Sequence, residues 1–464
     1  MIDTGKIKGI YFIGIGGIGM SALARYFLAG GFPVSGYDRS ESSLTFSLSS
    51  EGCIISYVDD ADMLPEFFRN RLNVKNTLII YTPAIPPENK IITYFRSNGY
   101  PLFKRSEILG QISEQTDTLA VSGTHGKTTV STMIAHLLKQ SHVDCSSFLG
   151  GISKNYNTNM LLGGGRYTVI EADEFDRSFH RLAPLLAVVT SLDADHLDIY
   201  GDHPTMIAAY NEFCSKIREG GTLIVNSKIA DKIIVPQDIT SFTYGFDEDA
   251  DYRSFNIRQS GDSYKFDLKT PGGIITDIHF GFPGIINIEN ATVASAVALI
   301  SGITEIELRK ALITFRGVSR RFDIRLNYSD LVYIDDYAHH PEEIRACITS
   351  VREYFGGRKI TGIFQPHLFS RTRDHAEGFA GILDKLDEVI LLPIYPAREK
   401  PIKGVSSEMI LDRMKLKKKS IMNKEDIPGK LDIENMDVLL TIGAGDIDRL
   451  VEPIESELRR RRRR

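Results

Sequence analysis

The segment Val121-Ser-Gly123-Thr124-His125-Gly126-Lys127-Thr128-Thr129 brings two glycines, a lysine and adjacent hydroxyls together within nine residues. Glycines let backbone N–H groups close around phosphate oxygens, a lysine at this spacing reaches the terminal phosphates, and a threonine hydroxyl can ligate magnesium. The general phosphate-loop expression G-x-x-x-x-G-K-[ST] asks for glycine at 121, where this chain has valine, so the ring is shortened to G-x-x-G-K-T with its chemistry intact. A triphosphate also needs metal ligands away from the loop. Two acidic runs supply candidates, each behind an apolar stretch: Glu171-Ala-Asp173-Glu174 after Tyr167–Ile170, and Asp193-Ala-Asp195-His196-Leu-Asp198 after Leu186–Val189. Ligands in open α/β sheets collect at such strand ends. Either run alone could be a helix cap; together they point to a magnesium site, with Glu171 and His196 as the sharper candidates.

A second constellation lies near the start. Gly14-Ile-Gly16-Gly17-Ile-Gly19 fits G-x-G-x-x-G, and Asp38 follows about 20 residues on, where a ribose-binding carboxylate is expected. Glycines permit close approach of a diphosphate, and free amides at a helix start stabilise its charge. That logic specifies a diphosphate rather than nicotinamide, so a dinucleotide and a nucleotide-sugar both fit.

These groups need strands that end at them and helices that begin there. Apolar Ile10–Ile13 precedes the first loop and the helix-like Met20–Leu28 follows it; Leu119–Val121 precedes the second. Behind the second loop Val130, Met133, Ile134, Leu137 and Leu138 form the i, i+3, i+4, i+7, i+8 stripe of an amphipathic helix. A late strand, Val438–Ile442, runs into Gly443-Ala-Gly445-Asp446. Strand-like and helical stretches alternate throughout, which predicts an α/β fold with parallel sheets. The stretch 242–282, rich in Asp, Ser, Gly and aromatics, reads as a small antiparallel insertion.

The chain has 464 residues, 42% hydrophobic and 25% charged, the composition of a globular protein and enough for about three domains. No window approaches the ~18 apolar residues of a membrane span, and no signal peptide is evident, so a cytoplasmic protein is expected. Cys53, Cys145, Cys214 and Cys347 lack the spacing of a zinc knuckle or a disulfide framework. The formal net charge of −5 includes Arg459–Arg464, so the rest of the chain carries −11, against nucleic acid as a general partner. The arginine run reads as a disordered, solvated end.

The shortened loop GTHGKTT, the segments EADEFDRSF and DADHLD, NIENA from Asn287, RRFD at Arg320–Asp323 and DDYAHHP at Asp335–Pro341 occur in the order and spacing of the Mur ligases. Over essentially the whole chain to about residue 450 the sequence resembles this family of ATP-dependent amide ligases of peptidoglycan precursor synthesis. GIGGIGMSALA, YTPAI, KRSEIL and FQPHLFSRTRD together are most similar to its L-alanine-adding branch. The resemblance implies three domains: a Rossmann-like domain at 1–108 for the UDP-sugar, a central phosphate-loop ATPase α/β domain at 109–317 carrying the antiparallel insertion, and a Rossmann-like amino-acid domain at 318–458, followed by the tail 459–464.

It implies ATP and magnesium as cofactors, with UDP-N-acetylmuramate and L-alanine as substrates of a monomer or homodimer. Gly14, Gly16, Gly17, Gly19, Asp38 and Arg105 would hold the UDP-sugar, which removes the support for a dehydrogenase. Gly123–Thr129, Asn287, Asn290 and Arg321 would hold ATP, and Thr128, Glu171 and His196 the metal. Lys127, His196, Arg321, Asp336, His339 and His340 would be catalytic. Tyr337, His339, Arg371 and Arg373 would receive the amino acid. The doublets Arg320-Arg321 and Asp335-Asp336 leave two registers open. Two positions depart from the family pattern: Ile286, often histidine, and Leu368, often arginine. Taken without the family, His339-His340-Pro341 is an ordinary helix start.

The implied chemistry runs through an acyl phosphate, which must be kept from water, so hinges are predicted near 107 and 317. The alternative within this chemistry is a recycling ligase that attaches a tripeptide to the same sugar acid; a nucleotide-dependent binding or regulatory module without ligase activity is the alternative from another class.

Overall fold

The computed structural model describes residues 4–194, 197–260, 263–397 and 399–462. Three sheets organise the chain. The first is all parallel, in the order Ile54–Ser56, Val34–Tyr37, Gly9–Ile13, Thr77–Tyr81, Leu102–Lys104. Its central strand Gly9–Ile13 is buried on both faces, and such a strand reads as a continuous apolar run.

The second sheet has ten strands. At its centre Asp117–Ser122 lies parallel between Leu186–Val189 and Tyr167–Glu171, so the second glycine loop and both acidic runs leave the same edge. The segment 242–282, expected as a small antiparallel insertion, does carry antiparallel strands, and they extend this sheet. Tyr252–Ser260 pairs in parallel with Thr240–Gly245, and Ser263–Thr270 and Gly273–Phe280 continue it antiparallel. At the other edge Cys145–Ser153 pairs with Tyr167–Glu171, and Thr158–Leu161 with Cys145–Ser153. The third sheet is parallel from Val332–Asp336 through Val438–Ile442, Ile360–Phe364, Glu388–Leu391 and Lys419–Ile421, with antiparallel Asp323–Asn327 at its edge.

These sheets form two compact units, one comprising Met1–Phe282 and Ile288–Arg316, the other Pro283–Asn287 and Gly317–Arg464. The first two sheets share one unit because they share a core: Ile10, Leu23 and Phe27 belong to the same apolar cluster as Phe148, Ile170 and Val189. A polar clamp joins them as well. Asn159 is fully buried, its Nδ2 donates to Ile18 O at 2.6 Å and to Ser21 Oγ at 3.0 Å, and Arg25 reaches its side-chain oxygen. The hinge expected near 107 falls inside the helix Arg105–Gln115, where the Glu107 carboxylate accepts the Lys104 N–H at 2.7 Å.

The arginine run also differs from the expected tail. The helix Val451–Arg462 continues into it because Glu455 and Glu457 sit three or four residues before Arg459 and Arg460 and pair with them at 2.8 and 2.6 Å. Among the described residues no helix is long and apolar enough to cross a membrane, and all four cysteines are buried free thiols.

Candidate active site

The second glycine loop turns from the strand Asp117–Ser122 into the helix Lys127–Lys139, whose stripe Val130, Met133, Ile134, Leu137 and Leu138 is fully buried. Gly123 and Gly126 adopt φ of +131° and +82°, conformations that L side chains rarely take. A Cβ on Gly123 would overlap the Thr190 hydroxyl. The neighbouring strand end holds the loop in place: Thr124 N donates to Ser191 O at 3.1 Å and His125 N to Ser191 Oγ at 2.7 Å. Asn290, on the helix Ile285–Ile300, places its side-chain oxygen beside Gly126. Asn287, one turn earlier, donates to Pro283 O at 2.6 Å, and Ile286 is 40% exposed.

Lys127 folds over the loop, its Nζ donating to Gly123 O at 2.6 Å and to Glu174 Oε1 at 2.8 Å. Burial works against the ammonium, but the carboxylates of Glu174, Glu171 and Asp173 outweigh it and hold its pKa above the ordinary lysine value. Thr128 Oγ1 donates to Glu171 Oε1 at 3.0 Å, and the other Glu171 oxygen accepts Gly150 N–H at 2.9 Å. Two hard oxygen donors side by side, next to a phosphate loop, suit magnesium. His196 lies outside the described residues, and among those described no group of three or more His, Cys, Asp or Glu could hold a metal. His125 stands 3.5 Å from Asp193, and Thr129 is half-buried on the helix.

The first loop repeats the backbone plan with different chemistry. Gly14 has φ +87°, and Gly17 precedes the helix Ile18–Ala29 without a side-chain cap, leaving its first amides for a ligand. Asp38 accepts Gly16 N–H at 2.7 Å and Arg39 N–H at 2.8 Å. Arg105 lies against Gly19 and pairs with Asp173 at 2.8 Å. Between this helix and the Glu171 strand end is a cavity of about 170 Å³, whose walls include Gly19, Arg105, Gly150, Glu171 and Asp173.

The second unit carries the remaining groups, and alternation along the strand Val332–Asp336 turns Asp335 and Asp336 to different neighbours. Asp335 is fully buried in the sheet, where it accepts from Thr441 Oγ1 at 2.6 Å and Arg320 Nε at 3.2 Å. Burial pushes its carboxyl up to about 6, with Arg320 acting against the shift. Asp336 accepts Phe322 N–H at 2.6 Å and Ala338 N–H at 2.8 Å; burial raises its pKa and the Arg321 charge opposes this. Both guanidiniums stack on Tyr337, Arg320 at 5.2 Å and Arg321 at 4.9 Å from the ring centre. From Tyr337 an aromatic chain runs through His339, His367 and Tyr395, with ring centres 5.3, 5.8 and 5.8 Å apart. Arg371 Nη1 lies 3.4 Å from His367 Nδ1.

His339 Nδ1 is 3.0 Å from Tyr337 O, an arrangement that puts its proton on Nδ1 and leaves Nε2 as the basic nitrogen. Burial lowers its pKa, partly offset by Glu343, so the ring is neutral near pH 7. Two candidates are placed elsewhere. His340 is the residue before the helix Pro341–Tyr354 and packs on His375, 4.9 Å away. Arg373 is two residues from Arg371 on one helix, about 200° around it, and pairs with Asp374 at 2.7 Å on an exposed face. Leu368 takes φ +71° at the head of that helix, its N–H bound to Tyr395 O at 3.0 Å.

Sequence reasoning missed Glu174 as the partner of Lys127, Ser191 as the brace of the loop, and His367 and Tyr395. Glu174 was visible only as one acid among several. His367 lay in a quoted motif, and its place beside His339 depends on the third sheet.

Three family models match in series: Mur ligase family, catalytic domain at 9–116; Mur ligase middle domain at 121–298; and Mur ligase, glutamate ligase domain at 320–445. A UDP-N-acetylmuramate–L-alanine ligase of Parabacteroides distasonis is 48% identical over 458 residues, 98% of each chain. One of Flavobacterium johnsoniae is 44% identical over 457 residues, covering 98% of this chain and 99% of the relative. The crystal structure of UDP-N-acetylmuramate-alanine ligase MurC from Thermotoga maritima aligns with TM-score 0.81 at 28% identity, covering 98% of this chain and 99% of that one. A murein peptide ligase from Psychrobacter arcticus shares the fold, with TM-score 0.70 at 20% identity over 97% and 98% of the chains. With a shared fold, three domains in series and this identity over nearly its whole length, the chain belongs to the Mur ligase family.

Proposed function

We propose that this protein joins L-alanine to the lactyl carboxylate of UDP-N-acetylmuramate with consumption of ATP, a cytoplasmic step of peptidoglycan precursor synthesis. The observation that carries the reading is the loop Gly123–Thr129 with Lys127 and Thr128 aimed at Glu174 and Glu171, in a chain 48% identical to ligases of this name. The domains are assigned as 1–108 for the UDP-sugar, 109–317 for ATP and 318–458 for the amino acid.

A carboxylate is a poor acyl donor because oxide would have to leave, and phosphorylation gives it a better leaving group. The lactyl oxygen attacks the γ-phosphorus of ATP, ADP departs, and an acyl phosphate results. Two anions meet in that step, so the Lys127 ammonium has to neutralise charge shared by attacking and leaving oxygens. Thr128, Glu171 and His196 would hold magnesium, which supplies further neutralisation at the phosphates. The loop amides orient the triphosphate, and Asn290 lines the loop at Gly126.

The alanine amine then attacks the acyl carbon and phosphate leaves from the tetrahedral intermediate. Free α-amino groups titrate near 7.7 to 8.0, so a base helps. His339 Nε2 takes the proton in this reading. Tyr337 and Arg371 receive the amino acid, with Arg371 facing its carboxylate, and Arg321 and Asp336 face the phosphates. Arg373 is left out of the set because it is paired on the opposite face of its helix.

The test is ATP-dependent phosphate release with UDP-N-acetylmuramate and L-alanine, glycine, L-serine or the tripeptide as acceptor. Release with L-alanine that disappears in Lys127→Ala is expected. Release with the tripeptide alone would select the recycling reaction, and no release with any acceptor would sink the ligase reading.

A further inference from the structure

Arg105 stands at the start of the helix Arg105–Gln115 with its guanidinium between two walls of the 170 Å³ cavity. On one side Nη1 lies 2.5 Å from the place a Cβ on Gly19 would take, against the first turn of the helix Ile18–Ala29. On the other, Nη2 donates to Asp173 Oδ2 at 2.8 Å. Asp173 is two residues beyond Glu171, whose carboxylate faces Thr128. A group that extends from the first glycine loop towards the second meets Arg105 before it reaches Glu171.

The contact Arg105 makes indicates the ligand it suits. A guanidinium fork matches a carboxylate with two parallel hydrogen bonds and fixes its plane, which an ammonium cannot do. The carboxylate now on Arg105 is partly open to solvent. The Asp173 side chain is 39% exposed, and its other oxygen already accepts Phe175 N–H at 3.0 Å. A part-exposed pair of this kind contributes little stability, so a better-matched anion can displace it at small cost. A diphosphate has its own cradle in the amides that follow Gly14 and does not require Arg105.

We propose that Arg105 binds the carboxylate of the acyl donor, and that in the free protein Asp173 occupies the place this carboxylate takes. The assignment rests on the function proposed above, which requires a donor with a sugar diphosphate at one end and a carboxylate near Glu171. Arg105 thereby becomes the residue that distinguishes a sugar acid from the same sugar without its acid. Asp173 becomes an internal competitor that keeps the guanidinium paired until substrate arrives.

Calorimetric titration of the full chain with UDP-N-acetylmuramate and with UDP-N-acetylglucosamine, which lacks only the lactyl group, tests this. Arg105→Ala is expected to weaken the muramate by roughly 10- to 100-fold, the range of a charge-assisted pair, and to leave the glucosamine within about twofold. Asp173→Asn keeps the acceptor for Phe175 N–H and removes the charge, so the muramate should bind a few-fold tighter and the glucosamine unchanged. Arg105→Lys, which retains charge without the fork, should show a smaller loss confined to the muramate, and with Asp173→Asn it decides the matter should Arg105→Ala fail to fold. Equal losses for both nucleotide-sugars, or none for either, would overturn the assignment while leaving the ligase reading intact. Wild-type protein that binds neither overturns both.

Discussion

Between Ile13 and Ile18 the first glycine loop offers backbone amides and one braced carboxylate, Asp38. Between Ser122 and Lys127 the second has the same strand, turn and helix, yet it is surrounded by charge: Lys127 on Glu174, Thr128 on Glu171, and a neighbouring strand end that pins its backbone. A loop that only holds a diphosphate needs approach and amides. A loop where phosphorus changes partners needs movable positive charge, and charge in a buried place needs counter-charge until the substrate arrives. In the proposed function the two loops separate holding from bond-making within one compact unit.

The largest expected effect tests that separation. Lys127→Ala should lower kcat by on the order of 10³-fold with the protein still folded, as loss of a charge acting on the transferred phosphoryl does. A comparable fall in kcat from Asp38→Asn would erase the distinction between the loops.

The helices behind the loops differ in a titratable group. His136, 1% exposed on the helix Lys127–Lys139, has its ring nitrogens 3.0 Å from Tyr156 Oη and from Ala311 O, and burial lowers its pKa to about 4. Since the unfolded chain takes up this proton near 6.5, the stabilisation is fully present above that pH and is lost as pH falls towards about 4, by about 3 kcal/mol. Denaturant unfolding at pH 7 and 4.5 should show the loss, and His136→Gln should flatten the profile between those values.

Backbone strain gives the next contrast. Gly123→Ala places a Cβ at φ +131° against Thr190 and should cost about 2–3 kcal/mol, whereas Gly17, at φ −64°, has no neighbour closer than 3.6 Å and should accept alanine at under about 1 kcal/mol. Unfolding midpoints of the two variants measure the difference. The smallest effect is expected from Asp38→Asn, a rise of about three- to tenfold in KM for the UDP-sugar with kcat unchanged, as befits a group that only holds.

Much of this contrast is legible in the sequence because glycine spacing, apolar runs and the helical stripe behind Lys127 are local signals. The position of Glu171 was also legible, since it ends an apolar strand. Glu174 was not: its approach to Lys127 depends on the turn Phe175–Arg181, where Asp176 and Arg177 take φ of +53° and +52°, and no short motif announces that. The face that Arg373 occupies was not legible, because a run of basic residues says nothing about which helix face each takes. The order of strands hid the rest. Asp335 and Asp336 look alike as letters, and only pairing with Val438–Ile442 turns one to Thr441 and leaves the other to Phe322 and Ala338. The parallel link between Thr240–Gly245 and Tyr252–Ser260, which joins the antiparallel segment to the main sheet, likewise has no local signature.

The Asn159 clamp carries a consequence for descent. Its amide is spoken for on both sides, by Ile18 and Ser21 in one sheet's helix and by Arg25, which Glu51 holds at 2.8 Å. A lone change at 159 takes the donor from Ile18 O and Ser21 Oγ and the acceptor from Arg25, and a lone change at 25 frees an acidic partner, so neither position can drift by itself. In a collection of homologues, positions 25, 51 and 159 should therefore be inherited as a set, replaced together or not at all, although they lie in segments that a sequence reader would assign to different domains.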